Sequence, residues 1–251
     1  MIPKIIHYCW LSNDPVPADL QKYMKSWQVY LSDFEFIKWD FSRFDINKSH
    51  WVKEAFENKK YAFAADYIRL YALYNYGGFY LDMDVEVLKN FDSLLELDTA
   101  ICWQNNKEGL EVAVFGVSKG VEWVKKCLDY YNDKSFLQPN GNFDTKVLPL
   151  IVYNQLLMSG YNLLDVSSIK EAISYSNTPN IIPVFSSDYF SPKSYKTGLI
   201  ELSAETYCIH HFAASWLPFY LKCINSTKQK LGVNGTGIIV KLKKIISFLK
   251  H

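Results

Sequence analysis

The chain has 251 residues and a formal net charge of +1, a balance that excludes a general nucleic-acid binder held by a basic face. Hydrophobic residues are 49% of the total, which excludes a disordered chain and suffices for one large domain, or a domain with an appendage. The five cysteines (Cys9, Cys102, Cys127, Cys208, Cys223) are scattered and never C-x-x-C, so they read as reduced thiols of a cytoplasmic protein. The opening MIPKIIHYCW lacks the apolar core of a signal peptide, and no apolar run reaches the roughly 18 residues of a membrane span.

KIIHYCWL reads as a first strand ending at the polar turn SNDPVP. Leu20, Met24, Trp27 and Leu31 recur at helical spacing and give a first helix, and FEFIKW a second strand. From residue 49 to 78 two helical pieces follow, stopped by Gly77-Gly78. Phe79, Leu81, Met83, Val85 and Val87 then alternate with Tyr80, Asp82, Asp84 and Glu86, the mark of a half-buried strand. TAICWQ, LEVAVFGVS and ETYCIHHF read as further strands, and VEWVKKCLDYY and LPLIVYNQLLM as helices. Strands alternating with helices predict an α/β fold with a largely parallel sheet. A polar stretch, NSTKQKLGVNGTG, precedes a closing helix.

The acidic strand is the chemical puzzle. Asp82 and Asp84, at i, i+2, share one face and repel unless something positive lies between them. An oxygen-rich pair of this kind suits Mg²⁺ or Mn²⁺, ions that complete their shell with substrate phosphates. A bare D-x-D also describes a solvated strand face. On the repulsion argument, neutralising Asp84 should leave the metal-free fold as stable or more so. The preceding helix, AFAADYIRLYALYNY, is apolar nearly all round except for Asp66 and Arg69 at i, i+3. Alone they are an internal ion pair. With Asp82 and Asp84 just beyond the Gly-Gly turn, they predict a polar pocket in an apolar setting.

FAADYIRLYALYNYGGFYLDMDV closely resembles the signature of the DXD-motif sugar transferases of glycosyltransferase family 32. Ala65 replaces the common Ser before Asp66. IPKIIHYCWL is similar to the family's first strand and HHFAASW to its late metal-site strand, so the resemblance runs from about residue 1 to 220. It implies a GT-A-type (Rossmann-like) nucleotide-sugar transferase fold at residues 1–225, with flanking helices on a mostly parallel sheet. It implies a catalytic group of Asp66, Arg69, Asp82 and Asp84, and a divalent metal, Mn²⁺ or Mg²⁺, on Asp84, Asp82 and His211. On a strand His210 and His211 face opposite ways, so at most one reaches the metal. The nucleotide-sugar donor falls to Trp10, Asp66, Arg69, Asp82, Ser215 and Trp216, with Trp10 stacking on the base. Glu86 receives no role and is assigned to solvent. The implied reaction moves a sugar, with retention, to a saccharide or lipid-linked acceptor in bacterial surface (capsular) polysaccharide biosynthesis.

Two other readings fit parts of the sequence. FYLDMDV also fits a haloacid-dehalogenase-like phosphatase, but D-D and G-D, the later acidic pairs that fold needs, are absent from the chain. A catalytically inactive sugar-binding relative would not need Asp66, Arg69, Asp82 and Asp84 intact. In residues 236–251, Ile238, Ile239, Leu242, Ile245, Ile246 and Leu249 form one face, with Lys241, Lys243, Lys244 and Lys250 off it. This basic amphipathic helix either packs on the domain or lies on the inner face of an anionic membrane.

Overall fold

The computed structural model describes residues 1–104, 107, 109–176 and 178–213. The order is β1 (Ile5–Cys9), α1 (Ala18–Tyr30), β2 (Glu35–Trp39), α2 (His50–Glu57), α3 (Tyr61–Tyr76), β3 (Gly78–Leu81) and β4 (Val85–Val87). Then come β5 (Thr99–Ala100), β6 (Trp103–Gln104), β7 (Gly109–Leu110), β8 (Val114–Val117), α4 (Glu122–Asp129) and α5 (Leu148–Met158). The described part closes with β9 (Asn162–Val166), α6 (Ile169–Ser174), β10 (Ile181–Phe185) and β11 (Cys208–His210).

The main sheet has the order β2-β1-β3-β8-β5 and is mixed, not mostly parallel. β1 runs parallel to β2 and β3, while β8 is antiparallel to both β3 and β5. The return strand β8 follows two short strands and not a helix, so nothing forces a parallel crossover there. Period-2 alternation splits the core between the two sheet faces. Phe79 and Leu81 join the cluster holding Trp27, Val85 and Phe91, and Tyr80 joins the one holding Ala65, Ile68 and Phe115.

The expected single strand across residues 79–87 is broken. β3 ends at Leu81, a turn closed by Val85 N donating to Asp82 O (3.0 Å) intervenes, and β4 leaves the main sheet to pair with β11. Asp82 and Asp84 therefore sit at a kink between two sheets. The turn before β3 is set by Gly77 (φ 68°) and Gly78 (φ 99°). A Cβ at Gly78 would lie 2.6 Å from Ile5 O, so the close approach of β3 to β1 requires glycine.

His7 locks the same corner. It is fully buried, accepts from Trp39 Nε1 at Nδ1 (3.0 Å) and donates from Nε2 to Gly77 O (2.8 Å). Burial depresses its pKa to about 4, so the folded chain holds it neutral where the unfolded chain is protonated. A depressed imidazole gives stability that is full above about pH 6.5 and lost as pH falls to about 4. The stability difference between wild type and His7→Gln, from urea titrations, is expected to fall by about 3 kcal/mol over that window. A constant difference overturns the assignment.

Candidate active site

The carboxyl ends of β1 and β3 open into a cleft of about 670 Å³, where open α/β sheets place their ligands. Its lining includes Trp10, Asp66, Arg69, Asp82, Asp84 and His210. Trp10 directly follows β1, is half-buried, and is oriented by its Nε1 donating to Asp14 O (2.8 Å).

α3 delivers the cation. Arg69 is 5% exposed on a helix whose other charged residue is Asp66. Its Nη2 lies 3.2 Å from both Asp66 Oδ1 and Asp82 Oδ1, and its Nη1 donates to Val112 O (2.7 Å). The guanidinium lies over the Tyr80 ring (4.5 Å), and Tyr80 Oη donates to Asp82 Oδ1 (3.0 Å). Burial pushes the Asp66 carboxyl up to about 7 against the pull of Arg69. Burial also raises Asp82, with Arg69 again opposing. The positive charge that two facing aspartates demand is thus partly supplied by the protein itself.

β11 delivers the other part. Asp82, Asp84 and His210 present ligand atoms within 4.8 Å of one another. His210 Nε2 is 3.6 Å from Asp84 Oδ2, and Ala213 N donates to the same oxygen (2.7 Å). Burial favours the neutral acid at Asp84, but the facing His210 and these hydrogen bonds outweigh it and bring its pKa down to about 2. Burial also disfavours the His210 imidazolium, and Glu111 and Asp84 together outweigh that, raising it well above the ordinary value.

The structure corrects the expected histidine. His210, not His211, meets Asp82 and Asp84. His211 faces the other way, as strand parity requires: its Nε2 is 2.8 Å from Glu86 Oε2 and its ring stacks on Tyr23 at 4.2 Å. Glu86 is accordingly a partner of His211 and not a solvated bystander. Ser215, Trp216, Cys223 and residues 236–251, where the sequence predicts a helix, lie outside the described residues, and so does any contact they make. Sequence reasoning missed Glu111, which is 1% exposed with Oε2 3.1 Å from His210 Nδ1. A lone Glu in the apolar run LEVAVFGV was the available signal, because a buried charge needs a partner.

The donor set fits a hard or borderline divalent cation: two carboxylates and an imidazole converge, and the imidazole's far nitrogen is held by a third carboxylate.

Residues 17–100 match a family described as the glycosyltransferase sugar-binding region containing DXD motif. Over 123 residues, 47% of this chain and 34% of the relative, the chain is 31% identical to inositol phosphoceramide mannosyltransferase 3 of Schizosaccharomyces pombe. Over 103 residues, 39% of this chain and 41% of the relative, it is 35% identical to the uncharacterized glycosyltransferase L373 of Acanthamoeba polyphaga mimivirus. The match thus spans between a third and two fifths of the length of these relatives. Among solved structures, the PaToxG glycosyltransferase superposes with a TM-score of 0.47 at 17% identity, covering 63% of this chain and 69% of that one.

Proposed function

We propose, from the match of residues 17–100 to the glycosyltransferase sugar-binding region containing DXD motif, that this chain is a metal-dependent glycosyltransferase with a GT-A-type fold. It transfers a hexosyl group from a nucleotide-diphosphate sugar to a saccharide or lipid-linked acceptor. The observation that carries the reading is the convergence of Asp82, Asp84 and His210 at the edge of a cleft that also holds Asp66, Arg69 and Trp10. Asp82, Asp84 and His210 would hold Mn²⁺ or Mg²⁺, which when bound supplies Lewis-acid stabilisation of the departing diphosphate.

The chain's own residues do the rest. Trp10 offers the cleft an aromatic face for the base, a contact typically worth about 1–3 kcal/mol. Arg69 adds positive charge to this acidic cleft, where the departing diphosphate would need it, and fixes both Asp66 and Asp82. Asp66 and Asp82 present oxygens to sugar and ribose hydroxyls. His210 gives up its Nε2 proton to ligate. Both Asp82 oxygens are already engaged by Arg69, and one by Tyr80 as well, which suits a positioning carboxylate better than a phosphatase nucleophile. A cytoplasmic placement against the inner membrane face, in surface polysaccharide synthesis, completes the reading. It rests on the lysine-bearing amphipathic pattern of residues 236–251.

The test is a screen of UDP- and GDP-sugars for Mn²⁺-dependent hydrolysis. One donor class should be cleaved, and Trp10→Ala should weaken its binding about tenfold or more while the fold survives. Absence of hydrolysis with every donor removes the enzymatic reading; wild-type donor affinity in Trp10→Ala removes the stacking role.

A further inference from the structure

The segment Glu111-Val112-Ala113, between β7 and β8, contacts Asp82, Arg69 and His210 in turn. Ala113 O accepts from Asp82 N (2.7 Å), and Val112 O accepts from Arg69 Nη1 (2.7 Å). The Glu111 side chain reaches His210 across 99 positions of sequence. Its own oxygens are divided: Oε1 accepts from Ala113 N (2.8 Å), and Oε2 faces His210 Nδ1 (3.1 Å) and accepts from Gln104 Nε2 (3.3 Å). As an ionised carboxylate Glu111 is acceptor-only, so His210 Nδ1 is the donor in the Glu111–His210 hydrogen bond. That leaves Nε2, the nitrogen facing Asp84, as the one free to ligate.

We propose that Glu111 is the positioning residue of the metal site, fixing the Nδ1–H tautomer and the ring orientation of His210 so that Nε2 is presented beside Asp82 and Asp84. The proposal rests on the metal-site reading above. Outer carboxylates of this kind fix the tautomer and raise the basicity of a ligating imidazole, and their loss typically costs about 10–100-fold in metal affinity. The fold gives Glu111 little other reason to be charged: it is buried, and among the described residues the carboxylate's partners are His210, Gln104 and a backbone N–H two residues on, with the Ser191 hydroxyl beside it.

Glu111→Gln tests this with nearly unchanged shape. An amide can accept from His210 or from Ala113 N, but its NH₂ then meets the other donor, so one of the two contacts fails. Mn²⁺ affinity, read by electron paramagnetic resonance of the free ion, should fall about 10–100-fold. In a His210→Ala background the same change should cost nothing further, because Glu111 acts only through His210. Equal Mn²⁺ affinity in Glu111→Gln and wild type, or an undiminished loss in the His210→Ala background, overturns the proposal. Failure of wild type itself to bind Mn²⁺ instead overturns the metal-site reading on which it rests. If Glu111→Gln and Glu111→Asp both fail to fold while His210→Ala folds, Glu111 supports the fold and not the ligand, and the proposal falls.

Discussion

Asp84→Asn is expected to lower Mn²⁺ affinity and donor turnover together, by orders of magnitude, because the leaving-group stabilisation that depends on this carboxylate is felt chiefly in the transition state. Like-charge repulsion with Asp82 suggests that the metal-free variant should be at least as stable as wild type. The structure reverses that sign. Asp84 faces His210 and accepts from Ala213 N, and the balance of these contacts over burial holds its pKa at about 2 against the ordinary 3.8. A depressed carboxylate contributes stability above the unfolded pKa and loses it as pH falls toward the folded one. Metal-free Asp84→Asn should therefore be less stable than wild type by about 2 kcal/mol at neutral pH, the gap closing near pH 2. Metal-free urea titrations and an Mn²⁺ titration of hydrolysis on the same variant check both halves. Near-wild-type turnover at modest Mn²⁺ would dispose of the metal assignment.

What the sequence disclosed about the site was local. Asp66, Arg69, Asp82 and Asp84 lie within 19 residues on one helix and the segment after it, and a 16-residue apolar helix stopped by Gly77-Gly78 leaves little freedom in how they meet. The strand break at Asp82 was hidden because alternation persists through it: Leu81, Met83 and Val85 are all buried although the backbone turns between them. Parity separated His210 from His211, but parity carries no phase, and only the pairing of β11 with β4 says which side faces Asp84. Glu111 stood out as a charge in an apolar run, yet its partner lies 99 positions away and no periodicity reports that. The parallel pair β9–β10 passed unread. Pro183 sits inside β10, and proline argues against a central strand; it is tolerated because, among the described residues, β10 pairs along its length with β9 and meets a second neighbour at Phe185, two residues past the proline, through a bridge to Cys102.

Arg69→Met should produce the largest loss of stability of any single change at the site. The guanidinium holds Asp66, Asp82 and the Val112 carbonyl at once, and removing it leaves two carboxylates and a carbonyl without their cation in a largely enclosed place. Breaking a buried ion pair by deleting one partner typically costs about 3–5 kcal/mol. The cost has a pH signature. Asp66 already titrates near 7 with Arg69 beside it, because burial favours the neutral acid and only the cation opposes. Without Arg69 its folded pKa moves higher still. A carboxyl whose folded pKa is raised favours folding below its unfolded pKa and loses that contribution as pH rises through the folded value. The deficit of Arg69→Met against wild type should therefore be greatest above pH 7 and shrink on acidification to pH 5. Arg69→Lys keeps the charge, but one ammonium cannot span Asp66, Asp82 and the Val112 carbonyl together, so it should fall between the two. Urea titrations of the three proteins at pH 5 and pH 8 measure all of this. A deficit that is the same at both pH values would mean that Arg69 contributes packing over Tyr80 and not charge, and that the acidic pocket does not depend on it.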